Sequence, residues 1–380
     1  MSTLSNLVAL ENELTQTLAY DAKKDEVAEL VEDYFTEKGG AEPTDAEMNA
    51  HFLQRHYFKV NIDPADDTLS TNELEEAFYE LISSALFSRF KDKSVEANEF
   101  FARAAKIATR LNDAFLSKQH TFAKGLAGEN LKKKLKAERC YELVNQTLAA
   151  NKDKGVELTG AGLALADAIN DERRVLDFLS KCLYVLYEFE NSKRVAMSLG
   201  HYLLSKTDGY ATLKNWTRFH IGNIRMDFQE YQGAKDEYEQ ALDWALQTGF
   251  PYATMTMYER LALASLRLNK FSLAEQYYDD SLLTGQTQGI DPEMALKNEI
   301  RCLIGLGNIQ YKQATGNEKN AKCKLADDLF KQALQRTNQV NYPTNKKVAL
   351  KNLSELYKLW RNDDNDPDAK TYQELADQIS

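Results

Sequence analysis

The sequence predicts an all-α protein, an N-terminal helical bundle followed by an array of repeated helix pairs. Three observations carry this. Proline is scarce, 6 of 380 residues where roughly 5% is usual, and residues 65 to 250 contain none. Apolar residues recur at helical spacing nearly throughout, with no period-two run of β-branched residues bounded by a hairpin turn. A motif of small and aromatic residues occurs three times in the second half. With 43% hydrophobic and 28% charged residues the chain is of globular composition, and its length suits two or more packed modules.

Taken in order, Leu4, Leu7, Val8, Leu14 and Leu18 open the helical pattern. Val27, Leu30, Val31, Tyr34 and Phe35 continue it until Gly39-Gly40 stops that helix. Asp45 precedes a third helix with Met48, Phe52, Leu53 and Phe58, and the polar stretch from Asn61 to Ser70, with Pro64, reads as a linker. Paired helices begin at Thr71: Leu74, Phe78, Leu81, Ile82, Ala85 and Leu86, a break at Lys91 to Ser94, then Ala97, Phe101, Ala104 and Ile107. Further helices run from Asn112 to Ala150 and from Thr159 to Lys206. The expected regions are thus an acidic N-terminal helical region (1–68), helical hairpins forming degenerate repeats (69–206) and a repeat domain (207–380).

Charge is uneven. Residues 1 to 70 hold 15 acidic and 5 basic residues, so nearly all of the net charge of −11 lies at the amino end. Such a surface repels phosphates, which disfavours nucleic acid as its partner. Two readings stay open for it, a solvated helical cap or a docking surface for a second, basic protein partner. The run Lys132, Lys133, Lys134, Lys136 reads as a solvated helix face, and the aromatic residues, at helical spacing beside alanines, read as core rather than as base-stacking platforms.

Cys140, Cys182, Cys302 and Cys323 have neither metal-pair nor disulfide-framework spacing and read as buried apolar residues. No HExxH, GxSxG, GxxxxGK[ST] or GxGxxG is present, so the expectation is no metal site, no cofactor and no enzyme. No apolar run is long enough to cross a membrane and the start lacks the features of a secretory leader, so the expected setting is the cytoplasm without membrane attachment.

The repeat is explicit. Tyr231-x-x-Ala234-x-x-x-Tyr238-x-x-Ala241-Leu242 returns as Phe271-x-x-Ala274-x-x-x-Tyr278-x-x-Ser281-Leu282 and as Cys323-x-x-Ala326-x-x-x-Phe330-x-x-Ala333-Leu334. The register alanines stand 40 and 52 residues apart; Pro251, Pro292 and Pro343, each before a helical run, stand 41 and 51 apart. Alanine at these positions lets a second helix approach the first, while the aromatic fills the space toward the next unit. Ile221-Gly222, Leu261-Ala262 and Leu306-Gly307 supply an apolar-then-tiny pair in each first helix.

This pattern resembles the tetratricopeptide repeat over residues 210 to 340, and loosely over 70 to 205. It departs in its longer periods and in Arg218 where the consensus has Trp. The resemblance implies a right-handed array whose first helices line a concave groove, with the residue after the apolar-tiny pair facing the ligand. Here that residue is Asn223 in one unit and Asn308 in another, with Leu263 between. An asparagine offers donor and acceptor together, so it grips a peptide backbone; Arg225, Arg260, Arg267, Arg301 and Lys312, on or near the same helices, suit a carboxylate.

The layout, a helical bundle joined to such an array over 380 residues, resembles the Rap-type regulators and related peptide-pheromone receptors. That resemblance implies a peptide held in the repeat groove and an N-terminal module inhibiting a signalling or transcription partner. The alternative it implies is a phosphatase acting on a response regulator through the bundle, but no position here matches the family's phosphatase residue. A homodimer is left open.

Overall fold

The computed structural model describes residues 3–56, 63–287 and 289–379. Phe58 of the expected third helix and Asn61 of the expected linker lie outside them. Among the described residues the chain is all-α, with eighteen α-helices, one 3-10 turn and no strand. It forms two compact units, Met1–Ile224 and Arg225–Ser380.

In the first unit the helices are α1 (Thr3–Thr17), α2 (Lys24–Glu37), α3 (Asp45–His56), α4 (Thr71–Phe90), α5 (Ser94–Arg110), α6 (Ala114–Gly125), α7 (Gly128–Thr147), α8 (Lys152–Asp167), α9 (Glu172–Glu188), α10 (Lys193–Lys206) and most of α11 (Ala211–Asp227). Their ends follow local chemistry. Ser70 and Glu73 form a reciprocal capping box at α4, and Asp113, Asn151 and Asp171 cap α6, α8 and α9. The hairpin α4/α5 buries Phe78, Leu81, Leu86, Phe101 and Ala104, and α3 adds Met48 and Phe52 to the same core. Helix α1 is held by an anion cap supplied from a distance. The Glu11 carboxylate accepts from the backbone N–H groups of Arg194 (3.0 Å) and Val195 (2.8 Å), the open first turn of α10.

The second unit comprises α12 (Tyr231–Thr248) and three helix pairs: α13 (Pro251–Arg267) with α14 (Phe271–Gly285), α15 (Pro292–Gln313) with α16 (Lys319–Arg336), and α17 (Pro343–Arg361) with α18 (Pro367–Asp377). Pro251, Pro292 and Pro343 occupy the first turns of α13, α15 and α17, where a missing N–H breaks no bond. The register alanines Ala234, Ala274 and Ala326 are fully buried. First helices of successive pairs also pack on each other, α13 on α15 and α15 on α17.

The aromatic residues of the motif divide their work. Tyr278, on α14, lies against Gly305 of the next pair's first helix: a Cβ there would fall 2.1 Å from the tyrosine ring. Phe330, on α16, instead packs into its own pair, where a Cβ on Gly307 would fall 2.5 Å from the ring. One ring thus closes the gap between units and the other the gap within one. The reason is that α15 is the longest helix and carries two glycines, one for each neighbour.

The turns inside the pairs repeat more faithfully than the helices. Asp92, Asn170, Gln229 and Asn269 all adopt left-handed backbone, with φ between 56° and 63°. Each is followed by an N–H that returns to a carbonyl five residues back, Lys93 to Ser88, Asp171 to Ala166, Glu230 to Arg225 and Lys270 to Ser265, at 2.8–2.9 Å. This is the hydrogen bond that closes a helix through a left-handed residue. The same closure recurs in hairpins of both units.

One expectation is corrected. The run from Lys132 to Lys136 is not a solvated face. Lys134 is 3% exposed and pairs with Asp171 and, at 2.7 Å, with Glu138. Lys132 reaches Asp45 at 2.7 Å and Lys136 reaches Glu42 at 3.0 Å, so the acidic amino-terminal segment is partly neutralised by α7. Lys134 lies on the stripe of Leu131, Leu135 and Glu138, and the buried carboxylates on α7 and α9 permit a lysine there.

Arg174 donates to both Glu138 and Asp177 and completes this network. Burial alone would raise the Glu138 carboxyl, but Arg174, Lys134 and Arg173 outweigh it and hold it well below the usual carboxylate range. A depressed folded-state value contributes stability that is complete above the unfolded-chain value, about 4.3, and fades as pH falls below it. Urea unfolding should therefore show the first unit weakening below about pH 4.3, with a shallower slope in Glu138→Gln. In the second unit, exposed Gln229→Gly should gain up to about 1 kcal/mol by relieving left-handed strain, while Gln229→Val should lose about as much.

Candidate ligand-binding face

The polar residues expected to meet a ligand are distributed by the helix pairing just described. In the second unit, Arg260 and Arg267 stand seven residues apart on α13, as do Arg301 and Asn308 on α15, with Lys312 a turn further on. A seven-residue spacing returns to the same helix face, so each helix presents one stripe. The stripes are joined from helix to helix. Glu259, 3% exposed, lies 3.3 Å from the Arg260 Nε and 3.5 Å from the Arg301 Nε. Arg301 also donates to the Tyr342 hydroxyl at the start of α17.

Asn298 supports Arg301 from below. Its amide is buried, donates to the Ser281 hydroxyl at 3.0 Å, and offers its oxygen toward the arginine, while Ser281 donates to the Met255 carbonyl. Burial would weaken the Arg301 charge, and the Glu259 carboxylate more than restores it, raising the guanidinium above its ordinary value. Burial pushes the neighbouring Cys302 thiol up to about 12, so it is a neutral packing group.

Two turns along α15, Asn308 accepts from Asn352 of α17 at 3.0 Å. Both are half-buried, and this bond leaves the Asn308 amide group as donor and the Asn352 oxygen as acceptor. Arg267 and Lys312 are exposed and make no ion pair among the described residues. The face therefore offers two exposed cations and a coupled asparagine pair beside an ion pair that locks the helices.

The remaining two residues stand elsewhere. Arg225 is engaged with Glu230 at 2.8 Å and lies along Gly233, where it braces the turn between α11 and α12. Asn223 is half-buried near the end of the first unit and has polar partners of its own. Sequence reasoning missed Glu259, Asn352 and Tyr342. A signal existed for Glu259, an acid directly before Arg260 amid the buried residues Met257, Leu261 and Ala262. Asn352 had none, because its role depends on which helix lies beside Asn308.

No protein-family profile matches the chain, and no curated protein is significantly similar to it in sequence. Solved structures align with it, three of them as follows. BtubC (BKLC) from P. vanneervenii is 18% identical over 67% of this chain and 91% of its own, with a TM-score of 0.36. A signal-transduction ATPase with numerous domains and a tetratricopeptide-repeat sensor, from Pyrococcus horikoshii, is 15% identical over 96% of this chain and 53% of its own, with a TM-score of 0.43. The apo form of RapI is 13% identical over 79% of this chain and 87% of its own, with a TM-score of 0.46.

Removing Glu259 strands a largely buried arginine. Glu259→Ala should cost about 3 kcal/mol in chemical unfolding, whereas Arg267→Ala, exposed on the same face, should stay within about 0.5 kcal/mol of the parent.

Proposed function

We propose that the protein is a non-enzymatic helical-repeat scaffold that binds an extended peptide or protein segment along the first-helix face of its second unit. On this reading the ligand regulates an inhibitor or adaptor role toward a signalling or transcription partner engaged by the N-terminal region, in the cytoplasm. The observation that supports it most is the Asn308–Asn352 pair. A peptide unit presents one carbonyl and one N–H, and the pair has one donor and one acceptor left to meet them without regard to side chains. Arg267 and Lys312 favour a ligand bearing carboxylates. Among the described residues no helix is long and apolar enough to cross a membrane.

The test is a display library of random decapeptides panned on the full chain, with enriched peptides measured by calorimetry on the parent and on Asn308→Ala/Asn352→Ala. Loss of two hydrogen bonds should weaken binding about tenfold or more. Enriched peptides that bind the double variant as tightly as the parent would place their site elsewhere.

A further inference from the structure

Two adjacent arginines in the first unit are treated very differently. Each guanidinium nitrogen of Arg174 is bonded, to Glu138 or to Asp177. Arg173 makes no hydrogen bond among the described residues. It is held by stacking, its guanidinium carbon 3.4 Å from the Tyr79 ring centre, and by a loose 3.7 Å approach to Asp177. A guanidinium has five donors in a planar fork; the Arg173 Nε is buried without a hydrogen-bond partner, which is costly, and the rest of the fork makes no protein hydrogen bond among the described residues.

These donors border a cleft of about 550 Å³ among α3, α4, α7 and α9. That size suits a small molecule or the end of a peptide. Tyr141 also lines it, with a hydroxyl that makes no hydrogen bond among the described residues. The buried charges beneath are balanced: Lys134, Arg173 and Arg174 face Glu138, Asp171 and Asp177. The more exposed lining is acidic, with Glu76, Glu80 and Glu142. An unmet planar donor fork inside and carboxylates outside call for a ligand with an anionic head and a cationic tail.

We propose that this cleft binds a basic α-amino acid, either free or as the carboxy-terminal residue of a peptide, with its carboxylate on Arg173 and Tyr141 and its cationic side chain toward Glu80 and Glu142. The site lies within the first unit and is independent of the face described for the second. Its parts come from different helices, Tyr141 from α7 and Arg173 from α9, so the hairpin packing creates it.

Calorimetry on the full chain tests this with L-arginine, L-lysine, agmatine, L-norvaline and the peptide Gly-Gly-Gly-Arg. Agmatine lacks the carboxylate and norvaline lacks the side-chain cation. The proposal expects an arginine, lysine or peptide complex, with agmatine and norvaline at least about tenfold weaker. The tighter of free amino acid and peptide identifies the source. Arg173→Lys, which keeps the charge and removes the fork, should weaken binding about tenfold. Tyr141→Phe should weaken it about fivefold, with the thermal midpoint unchanged as the check on folding. Glu80→Gln should erode the preference for arginine over norvaline. Three results would each overturn the assignment: no binding of any probe at millimolar concentration, agmatine binding as tightly as arginine, or Tyr141→Phe and Arg173→Lys both folded with affinity intact.

Discussion

Between α14 and α15 there is no room for a side chain on the backbone, because the ring of Tyr278 occupies the space a Cβ of Gly305 would need. This contact governs the second unit. It sets how close one helix pair comes to the next and how α15 is rotated about its own axis. Arg301 and Asn308 stand four residues before and three after Gly305, so that rotation also decides where they point. Glu259 can reach Arg301, and Asn352 can reach Asn308, only while α15 keeps this setting. Geometry made of an aromatic ring and a bare backbone thus positions the polar groups of the candidate face.

Much of this was legible in the sequence because it is local. Helical spacing, the prolines that open α13, α15 and α17, and the alanines that stand fully buried all follow from chain-neighbour chemistry and recur at fixed intervals. The motif also marked Tyr278 as reaching toward the next unit, which it does. Phe330 carries the same mark yet turns inward, since α15 bears glycines at both 305 and 307 and each ring takes the nearer gap. A single-letter pattern does not distinguish the two outcomes.

What stayed hidden depends on residues far apart in the chain. Lys134 reads as one of several solvated lysines until Asp171, thirty-seven residues on, is placed against it. Glu11 reads as an ordinary helix-surface acid until the first turn of α10 is found on it, 183 residues away. Asn223 and Asn308 look equivalent by motif position, yet they belong to different compact units and have different surroundings. Buried charge explains the pattern: an ion in the interior is tolerated only beside its counterion, and a counterion such as Asp171 for Lys134 or Glu138 for Arg174 comes from another helix. In the first unit Arg174 is paired with two carboxylates while its neighbour Arg173 has only a loose approach to Asp177, and in the second the buried Glu259 links the first helices through Arg301.

The closest test of the packing account is a double-mutant cycle in chemical unfolding between Gly305→Ala and Tyr278→Ala. Alanine is the better helix former by about 1 kcal/mol, and overpacking a filled core costs about 1–3 kcal/mol. With the ring present, sterics should win and Gly305→Ala should destabilise. With the ring removed, the same substitution should be neutral or stabilising, giving a coupling of about 2 kcal/mol or more. If Gly305→Ala has the same effect in both backgrounds, the ring does not set the spacing of α14 and α15, and the account of the face built on it is wrong.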